Sequence, residues 1–261
     1  MPELPEVEFY RRLAETALGR RVASVGVYDA RYLRGGLDAE TLEEMLAGAS
    51  FHAARRQGKL LVLDTDSGVR LGLRFGMTGR LLVDGAHGGV DRLLYAPARE
   101  QAVWDRFAIT FEDGGRLVMH DPRLLGSVSL DPDEATLGPD ALTLTAGQLR
   151  GALAGSAVAV KARLLDQSKL AGVGNLIADE ALWRASIAPA RRSASLDGVE
   201  VRRLHRHLRR TLAVMLERGG THLGDLIGHR RPGGRCPRCG VALRRSVIGG
   251  RSAWWCPAHQ R

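Results

Sequence analysis

Two close pairs of soft ligands end the chain. Cys236-Pro-Arg-Cys239 and Cys256-Pro-Ala-His259 stand sixteen residues apart and use all three cysteines of the sequence. C-x2-C-x16-C-x2-H is the spacing of a tetrahedral Cys3His zinc site, in which each tight turn supplies one pair. All four positions are protein ligands, so such a site is structural. The residues between, VALRRSV at 241–247 and RSAWW at 251–255, have strand character and predict a zinc-bound β-hairpin. The 33-residue segment 229–261 has few core residues and is expected to need its metal to fold. It contains no acid, so the hairpin presents arginines to a polyanion.

Charge distribution points the same way. The 261 residues carry a net charge of +9, but residues 191–261 hold 16 arginines against 4 acids, and the rest of the chain is slightly acidic. A basic segment concentrated in this way is the footprint of a nucleic-acid partner; solvated arginine faces are the alternative. Only three lysines occur, Lys59, Lys161 and Lys169. A chain that uses arginine for generic charge marks, by its few lysines, places that need a compact ammonium. Apolar residues are 44% and charged residues 26%, a globular composition. No apolar run approaches 18 residues, and MPELPEVE lacks the apolar stretch of a signal peptide. A cytoplasmic protein without membrane contact is expected.

Residues 3–19 read as an amphipathic helix with Glu3, Glu6 and Glu8 in its first turns, where the helix dipole favours carboxylates. Strands are predicted at 21–28, 59–65, 69–75, 80–83, 106–111 and 116–119, interrupted by a short helix at 38–47. The first half, 1–130, is therefore a β-sandwich or barrel. Residues 131–144, with two prolines and four acids, read as a linker. Helices follow at 145–154, 160–168 (ending near Lys169), 175–185 and 196–218, the last closed by Gly219-Gly220. The expected fold class is α+β in several domains: 1–130, linker 131–144, a helical domain 145–228 and the zinc hairpin 229–261.

Two further segments carry chemistry. Gly172-Val-Gly174 turns the chain into a helix opened by Asn175, and the N–H groups there form an anion cradle. Spacing alone leaves a purely packed helix–turn–helix open. At the other end, Met before Pro is normally removed, which leaves Pro2 as a secondary amine. An α-amino group has a pKa near 8, so it is partly unprotonated and able to attack a carbonyl carbon, with Glu3 beside it to move protons. A proline that merely starts a helix is the alternative.

PELPEVE, LLDQ…AGVGN…ADEALW…P and CPRCG…GR…WCP-x-x-Q occur together in order and at matching distances, and this combination resembles the formamidopyrimidine-DNA glycosylase/endonuclease VIII family from residue 2 to 261. The N-terminus is more similar to the formamidopyrimidine branch. The resemblance implies an N-terminal helix with an antiparallel β-sandwich, a helix–two-turn–helix domain and a zinc-finger β-hairpin. It implies a monomeric, nucleoid-associated enzyme that flips a damaged nucleotide out of duplex DNA. The enzyme excises the base and cuts the strand by β- or β,δ-elimination, with one structural Zn2+ and no redox cofactor. Pro2 would be the nucleophile at C1′ and Glu3 the proton donor. Glu6 would belong to the same acidic helix start, and Lys59 would contact the lesion nucleotide. Lys161 would lie near the flipped base or a phosphate, and Asn175 and Arg251 on phosphates. Met77 and Arg123 would fill the hole left by the base.

Departures from the family pattern bear on the substrate. Arg74 stands where histidine is common and keeps the charge. Leu125 replaces an intercalating Phe; it can wedge but stacks poorly. Ile177 replaces a Tyr and removes one phosphate hydrogen bond, and His259 replaces a fourth Cys. Only fifteen residues, 221–235, precede Cys236, too few for the loop that closes over oxidised guanine. An open pocket follows, suited to ring-opened purines, oxidised pyrimidines, bulkier adducts or abasic sites. Rival readings are a non-catalytic damage-binding protein on the same fold and, more distantly, an RNA-binding relative. Pro2, Glu3 and Lys59 argue for catalysis, because a binder needs no terminal amine beside a carboxylate.

Overall fold

The computed structural model describes residues 2–90, 93, 97 and 101–261. Met1, whose removal the N-terminal reading requires, lies outside the described residues. The chain divides into two compact units, one of residues 1–2 and 6–134, the other of residues 3–5 and 135–261.

The first unit opens with α1 (Leu4–Ala14), which ends five residues before the predicted limit, its last turn tightening into a 3-10 turn at Glu15–Ala17. Strand β1 (Val22–Val27) and helix α2 (Ala39–Leu46) follow, the helix capped by the Asp38 carboxylate on the Thr41 amide. The other strands are β2 (Phe51–Gln57), β3 (Leu60–Thr65), β4 (Arg70–Arg74), β5 (Arg80–Val83), β6 (Asp105–Phe111), β7 (Arg116–His120) and β8 (Ser127–Leu130). They form two antiparallel sheets of four, ordered β1-β6-β7-β5 and β2-β3-β4-β8. Leu61, Leu63, Leu71 and Leu73 of one sheet share a core with Phe107, Ile109, Leu117 and Met119 of the other and with Val7 and Tyr10 of α1. Strands β2 and β8 were not expected. Ala-Ala-Arg-Arg in β2 has weak strand propensity, and β8 is four residues long; both form because β3 and β4 offer them an edge.

The second unit contains α3 (Ala146–Leu153), α4 (Val160–Leu165), α5 (Asn175–Arg184), α6 (Gly198–Arg218) and the hairpin β9 (Arg244–Ile248) with β10 (Arg251–Trp255). Capping boxes start α3, from Thr145 and Gln148, and α6, from Asp197 and Glu200. Gly219, with φ 101°, ends α6 in the left-handed conformation the sequence signalled. Helix α4 stops at Leu165, short of Lys169. The Asp166 carboxylate accepts from the Ser168 amide and hydroxyl, and this turn competes with the next helical turn. The segment expected as a linker is tied down: Ala141 N–H donates to Ala171 O and Ala171 N–H to Pro139 O, with Ala141 and Leu144 buried among the helices. Among the described residues no helix is long and apolar enough to cross a membrane.

Candidate functional site

In the first unit a pocket of about 290 Å³ is lined by Pro2, Arg34, Lys59, Arg74, Phe75, Gly76, Leu125 and Ser127. Among the described residues three cations and no acid line it. Lys59 sits in the two-residue turn between β2 and β3, which Gly58 makes possible with φ 60°. That turn is held to α1 by Arg56, whose Nε donates to Glu8 Oε2 at 3.0 Å and whose Nη1 donates to Gly58 O at 3.0 Å. Burial pushes Glu8 up, but its bonds to Arg11 and Arg56 outweigh this and hold it below the usual glutamate range. Arg74 ends β4 with no carboxylate partner among the described residues, and burial lowers its pKa. A half-buried guanidinium with no counter-ion among the described residues, facing a cavity with two more cations, defines a place for an anion.

Beside this pocket two loops cross. The buried Asp121 carboxylate accepts from Thr78 Oγ1 and from the amides of Arg123 (3.2 Å), Leu125 (2.8 Å) and Gly126 (2.8 Å). Gly76, with φ 56°, lets the loops touch: a Cβ there would lie 2.3 Å from the Leu125 carbonyl. The result is a fixed edge on which Leu125 is 46% exposed and Arg123 Nη1 lies 3.8 Å from Met77 Sδ. The three residues expected at the site of the flipped base are thus brought together. Asp121 itself was missed, although an acid opening the loop DPRLLG is the usual signal of a side chain that caps its own turn.

The second unit corrects two expectations. Both carboxylate oxygens of Glu3 accept bonds at the start of α5, from Leu176 N–H (2.8 Å) and Ile177 N–H (3.1 Å). The anion cradle at Gly172–Asn175 is therefore filled by Glu3, not left open to phosphate. Gly174 is required for this, since a Cβ there would lie 2.1 Å from the Glu3 carboxyl carbon. Asn175 remains at the helix start, with its Oδ1 buried and unpartnered. Lys161, expected against DNA, has no exposed surface. Its Nζ donates to Asp179 Oδ1 at 2.7 Å and to the carbonyl of Ser252 in β10. Burial lowers its pKa, against the pull of Asp179. Asp179 also accepts from Arg230 Nε (2.9 Å) and Trp254 N–H (3.1 Å), so one buried acid ties α4, α5, the 230 loop and the hairpin together. In the first unit, Glu6 is 2% exposed and absent from the lining of the Pro2 pocket. It stands in the first turn of α1, the acidic helix start to which it was assigned. Ile177 is fully buried, so its side chain has no access to phosphate.

Cys236, Cys239, Cys256 and His259 converge as expected, with their ligand atoms all within 4.8 Å of one another. Cys239 Sγ is 3.5 Å from Cys256 Sγ and 3.7 Å from His259 Nδ1, the edge lengths of a tetrahedron around an ion at about 2.0–2.3 Å. The donor set fits zinc. Trp183 Nε1 donates to Cys236 Sγ at 3.3 Å, and Gln260 accepts from Cys256 N–H at 2.7 Å, so the knuckles are braced from α5 and the C-terminus. At the hairpin's far end Gly249-Gly250, φ 57° and 71°, make the turn before the exposed Arg251. Between α6 and the cysteines, Glu180 accepts from the amides of Asp225 (3.2 Å) and Leu226 (2.8 Å), and Asp225 pairs with Arg184 and Arg218. The short 221–235 segment is pinned down at these points, as its length predicts.

The family model for the formamidopyrimidine-DNA glycosylase N-terminal domain matches residues 1–128, and that for the formamidopyrimidine-DNA glycosylase H2TH domain matches residues 137–225. The chain therefore belongs to the formamidopyrimidine-DNA glycosylase family. Among its relatives, the formamidopyrimidine-DNA glycosylases of Magnetococcus marinus and Xanthomonas campestris pv. campestris are each 35% identical over the full length of both chains. The Lactococcus lactis Fpg in complex with DNA containing an abasic site matches over 100% of both chains, with a TM-score of 0.83 and 26% identity. The same protein with DNA containing N7-benzyl-Fapy-dG also gives 0.83.

Proposed function

We propose that the protein is a DNA repair glycosylase with abasic-site lyase activity, acting on duplex DNA that carries a damaged base or an abasic site. One observation carries the reading: the terminal proline lines a pocket whose charged side chains, Arg34, Lys59 and Arg74, are all cations. An amine that attacks a sugar carbon needs that sugar's flanking phosphates held, and three cations without a lining acid suit this task.

The chemistry follows from the residues. With Met1 removed, the Pro2 nitrogen carries a lone pair. It attacks C1′, the glycosidic bond breaks, and the base leaves with its bonding electrons. Opening of the sugar ring then yields an iminium at C1′. Loss of a C2′ proton to a nearby base expels the 3′ phosphate and cuts the strand. Lys59 and Arg74 hold the lesion's phosphates, and Leu125, Met77 and Arg123 occupy the gap in the duplex. Glu3 anchors the chain start on α5 through its two amide bonds, and each carboxylate oxygen has a second lone pair with which to move a proton at the sugar. Asn175 and Arg251 grip phosphate. Cys236, Cys239, Cys256 and His259 would hold one zinc ion, which would supply the hairpin with a structural crosslink. With the 221–235 segment too short to close over the base, ring-opened or bulky purines and abasic sites are the substrates the site suits best.

Strand cleavage of duplexes bearing a single lesion tests this. Nicking at an abasic site, reduced at least about tenfold by Arg74→Gln through the loss of a charge-assisted phosphate bond, is the expected result. Tight binding to the same duplexes without nicking or base release would instead identify a damage-binding protein.

A further inference from the structure

Helix α6 carries a row of cations that the site above does not use. Arg202, Arg206, Arg209 and Arg210 are exposed on one side of it, at i, i+4, i+7 and i+8. None has a carboxylate partner among the described residues, whereas Arg191, Arg203 and Arg218 nearby pair with Glu200 or Asp225. The local acids are thus committed elsewhere. The row continues past both ends. The guanidinia of Arg150 and Arg202 approach one point above Gly198, at 3.8 and 3.4 Å. Towards the other end, burial and then the charges of Arg206, Arg184, Arg238 and Arg210 hold His207 below the usual histidine range.

Within this unit the row stands away from the residues assigned to the lesion duplex. Arg203 Nε donates to Ala185 O, so α6 meets α5 at the C-terminal end of α5. Asn175 opens α5 ten residues earlier, about 15 Å away at 1.5 Å per residue. Arg238 lies in the Cys236–Cys239 turn, at the end of the hairpin opposite Arg251.

We propose that this row, Arg202, Arg206, Arg209 and Arg210 with Arg150 and Arg238 at its ends, is a second phosphodiester-binding surface that holds a stretch of duplex other than the one carrying the lesion. The inference rests on the DNA-repair reading and extends it. Guanidinia without carboxylate partners, set in a row, match a line of phosphates, and binding a backbone needs no apolar anchor. A protein partner does need one, and beside the row the exposed face of α6 carries a single large apolar side chain among the described residues, Val199 at its start, with only Ala213 of the apolar residues exposed beyond it as far as residue 213. A chain that holds two duplexes at once can pass from undamaged to damaged DNA without dissociating into solution.

The test uses the full-length protein and its triple variant Arg202→Ala, Arg206→Ala, Arg210→Ala, with unchanged circular dichroism as the folding control. A short fluorescent duplex with one abasic analogue is bound and then chased with rising concentrations of undamaged duplex. The wild type should release the labelled duplex at a rate that increases with competitor, and the variant at a rate that does not. Affinity for the short duplex and nicking of an abasic site should be equal in both. On undamaged duplex alone, the salt slope of binding should fall by about 2–3 in the variant, near 0.9 per lost contact. This arm reads the row even if the lesion duplex is never cut, so the two readings fail separately. A wild-type release rate independent of competitor, or an unaltered salt slope in the variant, overturns the proposal. So does tighter binding at the row by an aspartate-rich peptide with an apolar end seated beside Arg150, where Leu153, Leu196 and Val201 line a shallow pocket.

Discussion

Glu8 has no part in the proposed chemistry, yet it sets where Lys59 stands. Its carboxylate holds Arg56, and Arg56 holds the Gly58 carbonyl in the turn that carries the lysine. Removing the charge by Glu8→Gln takes a charged partner from the nearly buried Arg56 guanidinium and should cost about 3 kcal/mol of stability, measured by urea unfolding. The pH dependence has a defined sign. The folded-state pKa of Glu8 is depressed, so its contribution is complete above the ordinary glutamate range and is lost as pH falls through the lowered value. The wild type should therefore lose more stability than the variant on acidification below about pH 4.5. At this scale the sequence was only partly legible. Ligand spacing exposed Cys236, Cys239, Cys256 and His259, because two turns must each supply a close pair. Lys161 misled, because a lone lysine on a short helix looks the same whether it faces phosphate or an acid eighteen residues away.

Elements bring these residues to bear. The loops at 75–79 and 121–126 make a rigid edge only because Asp121 satisfies three of their amides and the Thr78 hydroxyl. Asp121→Asn turns one acceptor oxygen into a donor facing donors; a loss of about 2–3 kcal/mol is expected, visible as a lowered Tm. Leu125→Ala should leave that edge intact and remove its wedge. Its cleavage of a fully paired lesion duplex should fall by about tenfold or more, the cost of an unaided base step. Cleavage of the same lesion in an unpaired bubble should change little; equal losses on both substrates would contradict the wedge role. The elements themselves were largely readable, since α6 announces its start with Asp197 and Glu200 and its end with Gly219. β2 and β8 were not, because pairing with β3 and β4 decides them, and pairing is not a local property. The anion cradle at Gly172–Asn175 was recognised as a shape, but its occupant, Glu3, comes from 170 residues away in sequence.

For the whole molecule, charge is the property that sorts the functions. A net charge of +9 concentrated in residues 191–261 is carried by the hairpin and α6, and a bound zinc would hold the hairpin's share in register. The chain should bind one zinc per molecule. Stripping it with a chelator should lower duplex affinity at least tenfold and reduce the salt slope of binding, because Arg251 and its neighbours lose their fixed placement. Unchanged affinity without metal would remove the hairpin from the DNA interface. The account's central claim is that the Pro2 nitrogen bonds to the sugar. Borohydride reduction during reaction with a duplex containing one abasic site tests it most directly, once mass spectrometry has established that residue 2 is the N-terminus. The account predicts a stable protein–DNA adduct that maps to Pro2. An adduct on Lys59 instead, or none from protein that binds the duplex tightly, would contradict it.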